Sequence, residues 1–134
     1  MNKIIFCAIA LLTVSIPMFG HHGTAISYDD TKLFTVKATV TEFRYTNPHV
    51  QLFLDVKDES GKVTSWSAEG EGPRIYVAAG WTMKKSVELL QPGTEITITL
   101  APSRSGTTAG LIFKIINAKG EQVLTARNVS RRAE

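Results

Sequence analysis

The chain has 134 residues, a formal charge of +3 and a single cysteine, Cys7. That length suits one domain with one modest core. The mild, scattered positive excess argues against a nucleic-acid footprint. A lone thiol leaves neither a disulfide within the chain nor a multi-thiolate metal site.

The N-terminal segment reads as an export signal: Lys3 gives the positive start and Ile4 to Ile16 an apolar run, broken by Pro17. The run is short of the roughly 20 apolar residues needed to span a membrane. Two cuts compete. Cleavage after Gly20 exposes His21-His22 at the new terminus, and cleavage after Ala25 fits the small-x-small pattern better but discards both histidines. The expected organisation is a signal peptide at 1–20 and one domain at 21–134 with a frayed, basic C-terminal tail. Removing residues 1–20 takes away Lys3 and leaves a charge of +2. The expected compartment is the periplasm or the exterior, with no membrane span once the signal is gone.

Residues 33–46 alternate through Phe34, Val36, Ala38 and Val40, then change parity at Phe43 and Tyr45, so a strand with a bulge near Glu42 is expected. Asn47-Pro48 marks a turn. His49 to Val56 reads as a second strand, with Val50, Leu52, Leu54 and Val56 on one face. Asp58 to Gly61 gives a hairpin turn, and Val63 to Ala68 a third strand with Trp66 and Ala68 on one parity. Glu69-Gly70-Glu71-Gly72-Pro73 closes that strand. Pro73 opens a short helix over Arg74 to Ala79, stopped by Gly80. Thr82 to Leu90 reads as a second helical turn with Val87 and Leu90 inward. Glu95 to Ala101, Leu111 to Ala118 and a short Glu121 to Thr125 segment complete the strands. Three strands, a short helical connection and two or three strands predict a mainly β fold, a small OB-like barrel of five to six strands. An open β-sandwich is the alternative.

The ordered set His21-His22, Tyr28-Asp29, Thr39-Val40-Thr41-Glu42-Phe43, Thr46-Asn47-Pro48-His49, Trp66-Ser67-Ala68-Glu69, Gly80-Trp81 and Leu90-Gln91-Pro92-Gly93 spans the chain beyond the signal. It resembles a bacterial exported family known only as domain-of-unknown-function 6152. Ala38 stands where that family often has Gly, and Thr94 where it often has an acidic residue; both changes concern strand and turn geometry. The resemblance implies a signal peptide ending just before the histidine pair, which favours the Gly20 cut. It implies no activity, so function rests on the residues.

A terminal amine, two imidazoles and the intervening amide form a nitrogen set that suits Cu(II). In one binding mode the amine and ring of His21 chelate the metal and His49 adds a third nitrogen. In another, the amine, the amide and the His22 ring bind locally. Tyr28, Asp29 and Glu69 are expected to supply supporting oxygens around these ligands. A frayed terminus is the plain alternative for His21 and His22, and a turn residue the plain alternative for His49. The aromatics Phe43, Tyr45, Trp66 and Trp81 suggest a barrel face for a protein or small ligand, although such side chains more often fill a core. Catalysis finds little support: Ser103 and Ser105 lack a base and carboxylate at matching spacing, and no Gly-rich phosphate loop is present. Three readings follow: an exported copper-binding protein using His21, His22 and His49; a metal-independent interaction module; and, with least support, a brace-copper oxidase.

Overall fold

Alternating apolar residues curl this chain into a closed barrel. The computed structural model describes residues 24–126. One helical turn, α1 (Thr24–Ser27), precedes β1 (Phe34–Arg44), β2 (Gln51–Lys57) and β3 (Val63–Glu69). Two short helices follow, α2 (Pro73–Ala78) and α3 (Met83–Leu89). Then come β4 (Glu95–Pro102), β5 (Ala109–Asn117) and a two-residue β6 (Gln122–Val123). The sheet order is β3-β2-β1-β4-β5-β6, and a parallel β3–β5 pairing closes five strands into a mixed barrel. This is the OB-like architecture expected, with the two helical segments of the β3–β4 connection at Pro73–Ala78 and Met83–Leu89.

β1 serves both halves of the barrel. Its first half pairs with β4, from Phe34 opposite Leu100 to Thr39 opposite Glu95. Its second half pairs with β2, with a register shift between Val40 and Glu42. Thr41 is the extra residue of this bulge. The extra residue explains the parity change: Ala38 and Val40 point inward before it, and Phe43 and Tyr45 after it. Inward residues of the other strands meet them, including Leu52, Leu54, Ala68, Ile96, Ile98, Leu100, Ile112 and Ile115. Full burial of one such Leu or Ile contributes about 1.5–3 kcal/mol.

Pro73 sits in the first turn of α2, where its missing N–H costs nothing. The Thr82 side chain accepts a hydrogen bond from the Lys85 amide and caps α3. α3 turns Ser86 and Leu90 inward, whereas Val87, expected inward, is 40% exposed. Ser86 fits the tight seam because its hydroxyl donates to the Thr82 carbonyl at 2.8 Å. β2 starts at Gln51, two residues later than its apolar pattern suggests. The reason is that the Val50 backbone bonds to Gly70 and Glu71 instead of to β1.

Candidate functional site

His49 lies on the β1–β2 connection, at one rim of the barrel. Tyr45 starts this connection from within the core, where its hydroxyl donates to the carbonyls of Trp81 (2.6 Å) and Pro73 (3.2 Å). A cis Asn47–Pro48 peptide follows. The chain is then zipped to the segment after β3: the Val50 amide donates to the Glu71 carbonyl (3.1 Å), and the Gly70 amide to the Val50 carbonyl (2.9 Å).

Two glycines make that approach sterically feasible. A Cβ on Gly70 would lie 2.6 Å from the Tyr76 hydroxyl and 2.7 Å from Val50 Cγ2, and one on Gly72 would lie 2.8 Å from the Pro48 carbonyl oxygen. Tyr76, on α2, is buried beneath and accepts the Glu71 amide at 3.1 Å. Burial, with the nearby Glu71 charge, pushes its hydroxyl up to about 12.

The His49 ring has a defined chemical state. Its Nδ1 lies 2.9 Å from the Gly70 carbonyl oxygen, which can only accept, so Nδ1 carries the proton. In the neutral ring the lone pair is therefore on Nε2. The same Nδ1 lies 3.3 Å from Glu69 Oε1. The other carboxylate oxygen, Oε2, accepts the Tyr28 hydroxyl at 2.9 Å. Tyr28, Glu69 and His49 thus form one continuous polar chain. The Tyr28 hydroxyl is pushed up to about 12, chiefly by burial and then by its bond to Glu69 and the charge of that carboxylate. Both His49 and Glu69 remain about one-third exposed, so the chain ends at solvent.

The segment bearing Tyr28 is fastened to the β4–β5 connection. The Asp29 amide donates to the Pro102 carbonyl and the Arg104 amide to the Ser27 carbonyl, each at 2.9 Å, and Tyr28 and Ser103 form a β-bridge. The Asp29 carboxylate accepts the Thr31 hydroxyl at 2.6 Å and pairs with Lys32 and Arg104. These contacts, the Thr31 hydrogen bond foremost, hold it below the usual carboxylate range.

Of the expected metal-site residues, Tyr28, Glu69 and His49 come together. Asp29 is adjacent but commits its carboxylate to the segment anchor. His21 and His22 lie outside the described residues. Among the described residues no group of three or more His, Cys, Asp or Glu is placed to hold a metal ion. The four aromatics do not share one open face. Tyr45 is buried, with the Phe43 ring edge-on at 6.2 Å. Trp66 packs on Phe34 at 5.3 Å, while Trp81 donates its indole N–H to Thr125 and lies under the Lys85 ammonium.

Sequence reasoning missed the Gly70 carbonyl and the glycine pair, because Glu69-Gly70-Glu71-Gly72-Pro73 was legible only as a strand end. Two glycines two residues apart before a helix-starting proline are the signal that another backbone comes close there.

A groove of about 610 Å³ lies at the other end of the barrel, lined in part by Lys37, Thr39, Asp55, Lys57, Glu95 and Thr97. It is remote from His49, since β2 runs from the His49 rim at Gln51 to the groove at Lys57.

A family model described as a family of unknown function (DUF6152) matches residues 9–114. No curated protein matches the chain.

Proposed function

The chain belongs to the DUF6152 family, and from that premise we propose that it is a small exported binding protein that holds copper through His21, His22 and His49. Residues 1–20 are the export signal, and cleavage after Gly20 creates the terminal amine that joins the imidazoles. The protein acts in the periplasm or outside the cell, in copper storage, delivery or sensing.

The observation that carries this reading is the His49 ring, with Nδ1 tied to the Gly70 carbonyl and Nε2 left as the lone-pair nitrogen. Metal-binding histidines usually donate their other ring N–H to a carbonyl or carboxylate in this way. A second support is the tether. His22 precedes Tyr28 by six positions, a chain length of at most about 20 Å. Tyr28 in turn touches Glu69, the neighbour of His49. A tether of this length permits the terminal nitrogens to reach Nε2.

The test is Cu(II) titration of the protein as exported and processed by its host, after intact mass has fixed the terminus. A start at His21, and a His49→Ala affinity loss of about tenfold or more (at least 1.4 kcal/mol) with a changed visible spectrum, are expected. Binding also requires neutral imidazoles, so it weakens as the solution is acidified. A start at Ile26, or an unchanged affinity and spectrum in the variant, sinks the reading.

A metal-independent interaction module is the second reading. Its support comes from residues other than the aromatics singled out in the sequence: Val77 on α2 and Met83 and Val87 on α3 are 52%, 57% and 40% exposed. Partner binding that survives loss of the N-terminal histidines but not Met83→Lys favours it.

A further inference from the structure

Glu69 is poorly placed to be a metal ligand and well placed to control one. Its Oε2 accepts the Tyr28 hydroxyl at 2.9 Å, and its Oε1 lies 3.3 Å from His49 Nδ1, an electrostatic contact beside the Nδ1 hydrogen bond to the Gly70 carbonyl. It lies at the end of β3, where its backbone pairs with Gln51 on one side and Leu111 on the other. Two strands therefore fix where the carboxylate starts, and Tyr28 fixes how it turns. Tyr28 is itself fixed by its bridge to Ser103.

We infer that Glu69 is the positioning residue of His49. With Tyr28 orienting it and the Gly70 carbonyl accepting the Nδ1 proton, its charge beside Nδ1 directs Nε2 alone toward a divalent cation. This deepens the copper reading and rests on it. When a cation takes the Nε2 lone pair, the ring gains positive character and its Nδ1–H becomes a stronger donor. A carboxylate beside that N–H answers the charge, which the neutral Gly70 carbonyl does not. The division of labour is specific: Gly70 selects the tautomer, Glu69 supplies orientation and charge, and Tyr28 keeps Glu69 from turning outward to bind the metal itself.

The experiment has two arms on the protein as exported and processed by its host. In the first, the metal-free protein with ¹⁵N-labelled histidine is examined by NMR at about pH 8.5, where an ordinary imidazole is neutral. The expected spectrum shows His49 protonated on Nδ1 and bare on Nε2. The reverse tautomer overturns the inference whatever copper does.

In the second arm, Cu(II) is titrated into Glu69→Ala, Glu69→Gln, Tyr28→Phe and His49→Ala. Loss of a supporting partner typically costs about 10- to 100-fold in metal affinity. Glu69→Ala is expected in that range. Glu69→Gln should recover part of the loss, because its amide oxygen still presents a negative dipole to Nδ1 without the charge. Tyr28→Phe should lose less than Glu69→Ala. His49→Ala should lose most and change the nitrogen hyperfine pattern in electron paramagnetic resonance.

Wild-type affinity in Glu69→Ala, alongside a clear loss in His49→Ala, overturns the positioning role and leaves the copper reading standing. A Glu69→Gln loss equal to that of His49→Ala overturns it in favour of direct carboxylate ligation. Unchanged binding in His49→Ala removes the copper reading itself, and this inference with it.

Discussion

The two ends of the barrel use their charged side chains differently. At the His49 rim, donors and acceptors are consumed by one another: Tyr28 by Glu69, His49 by Gly70 and Glu69, and Asp29 by Thr31, Lys32 and Arg104. At the other end a groove of about 610 Å³ carries Lys37, Asp55, Lys57 and Glu95, none of which forms an ion pair with another described residue. Hydrogen bonds still order this end: the Asp55 carboxylate accepts the Ser65 hydroxyl at 2.8 Å, and the Asn117 amide donates to Glu121 at 2.9 Å. Fixing side chains in this way costs ordering entropy, and at the His49 end the bonds join the N-terminal segment, β3 and the β1–β2 connection into one chain.

The largest effect that sharpens this contrast is alkaline. All three tyrosines of the chain, Tyr28, Tyr45 and Tyr76, sit at the His49 end, and burial raises each of them, Tyr28 and Tyr76 to about 12. A group whose folded value is raised contributes stability below its ordinary value near 10 that is lost as pH climbs through 12. The buried Tyr76 accounts for about 3 kcal/mol of that loss. Urea unfolding between pH 8 and pH 11.5 should show it, and Tyr76→Phe should flatten the slope. An unchanged slope in that variant breaks the assignment.

Next is a pair of glycine substitutions. Gly70→Ala drives a Cβ to within 2.6 Å of the Tyr76 hydroxyl, and overpacking of this kind costs about 1–3 kcal/mol. Gly120→Ala, beside the groove, meets nothing within 4 Å and pays only for its left-handed backbone at φ +80°, about 1 kcal/mol. Thermal melts compare the two. Equal losses, with no change in the His49 NMR signals of Gly70→Ala, would erase the contrast.

The smallest effect belongs to the groove. The β1–β2 ladder ends at Thr39 opposite Asp55, and beyond it Lys37 and Lys57 both line the groove. Like charges on one exposed groove repel weakly, so Lys57→Glu should stabilise the protein by a few tenths, at most about 0.5 kcal/mol. A larger gain, read from chemical denaturation, would mean that this end is more strained than its exposure suggests.

Much of the barrel was legible without coordinates. Period-two runs through Val50, Leu52 and Leu54, and through Ile96, Ile98 and Leu100, mark strands because alternate side chains face one core. The parity change after Val40 located the bulge for the same reason. Val87 was misplaced because a seven-residue helix offers too few positions for its inner stripe to be phased, and the buried residue there is a serine whose hydroxyl is satisfied within the helix. For the candidate site, the sequence supplied the residue types, naming His49, Tyr28 and Glu69 from their chemistry.

What the sequence by itself determined, then, is the strand pattern, the parity of the core and the inventory of groups able to bind or relay a proton. Those are local properties, set by side-chain period and functional group. What only the tertiary structure decided is which groups meet. Tyr28 and Glu69 are 41 residues apart, and His49 and Gly70 are 21 apart. Their contact depends on barrel closure through the parallel β3–β5 pair, on a bridge from Tyr28 to Ser103, and on two glycines that let one backbone lie against another. A hydrogen bond that fixes a tautomer depends on such distances to a few tenths of an ångström, and no local pattern along the chain encodes them.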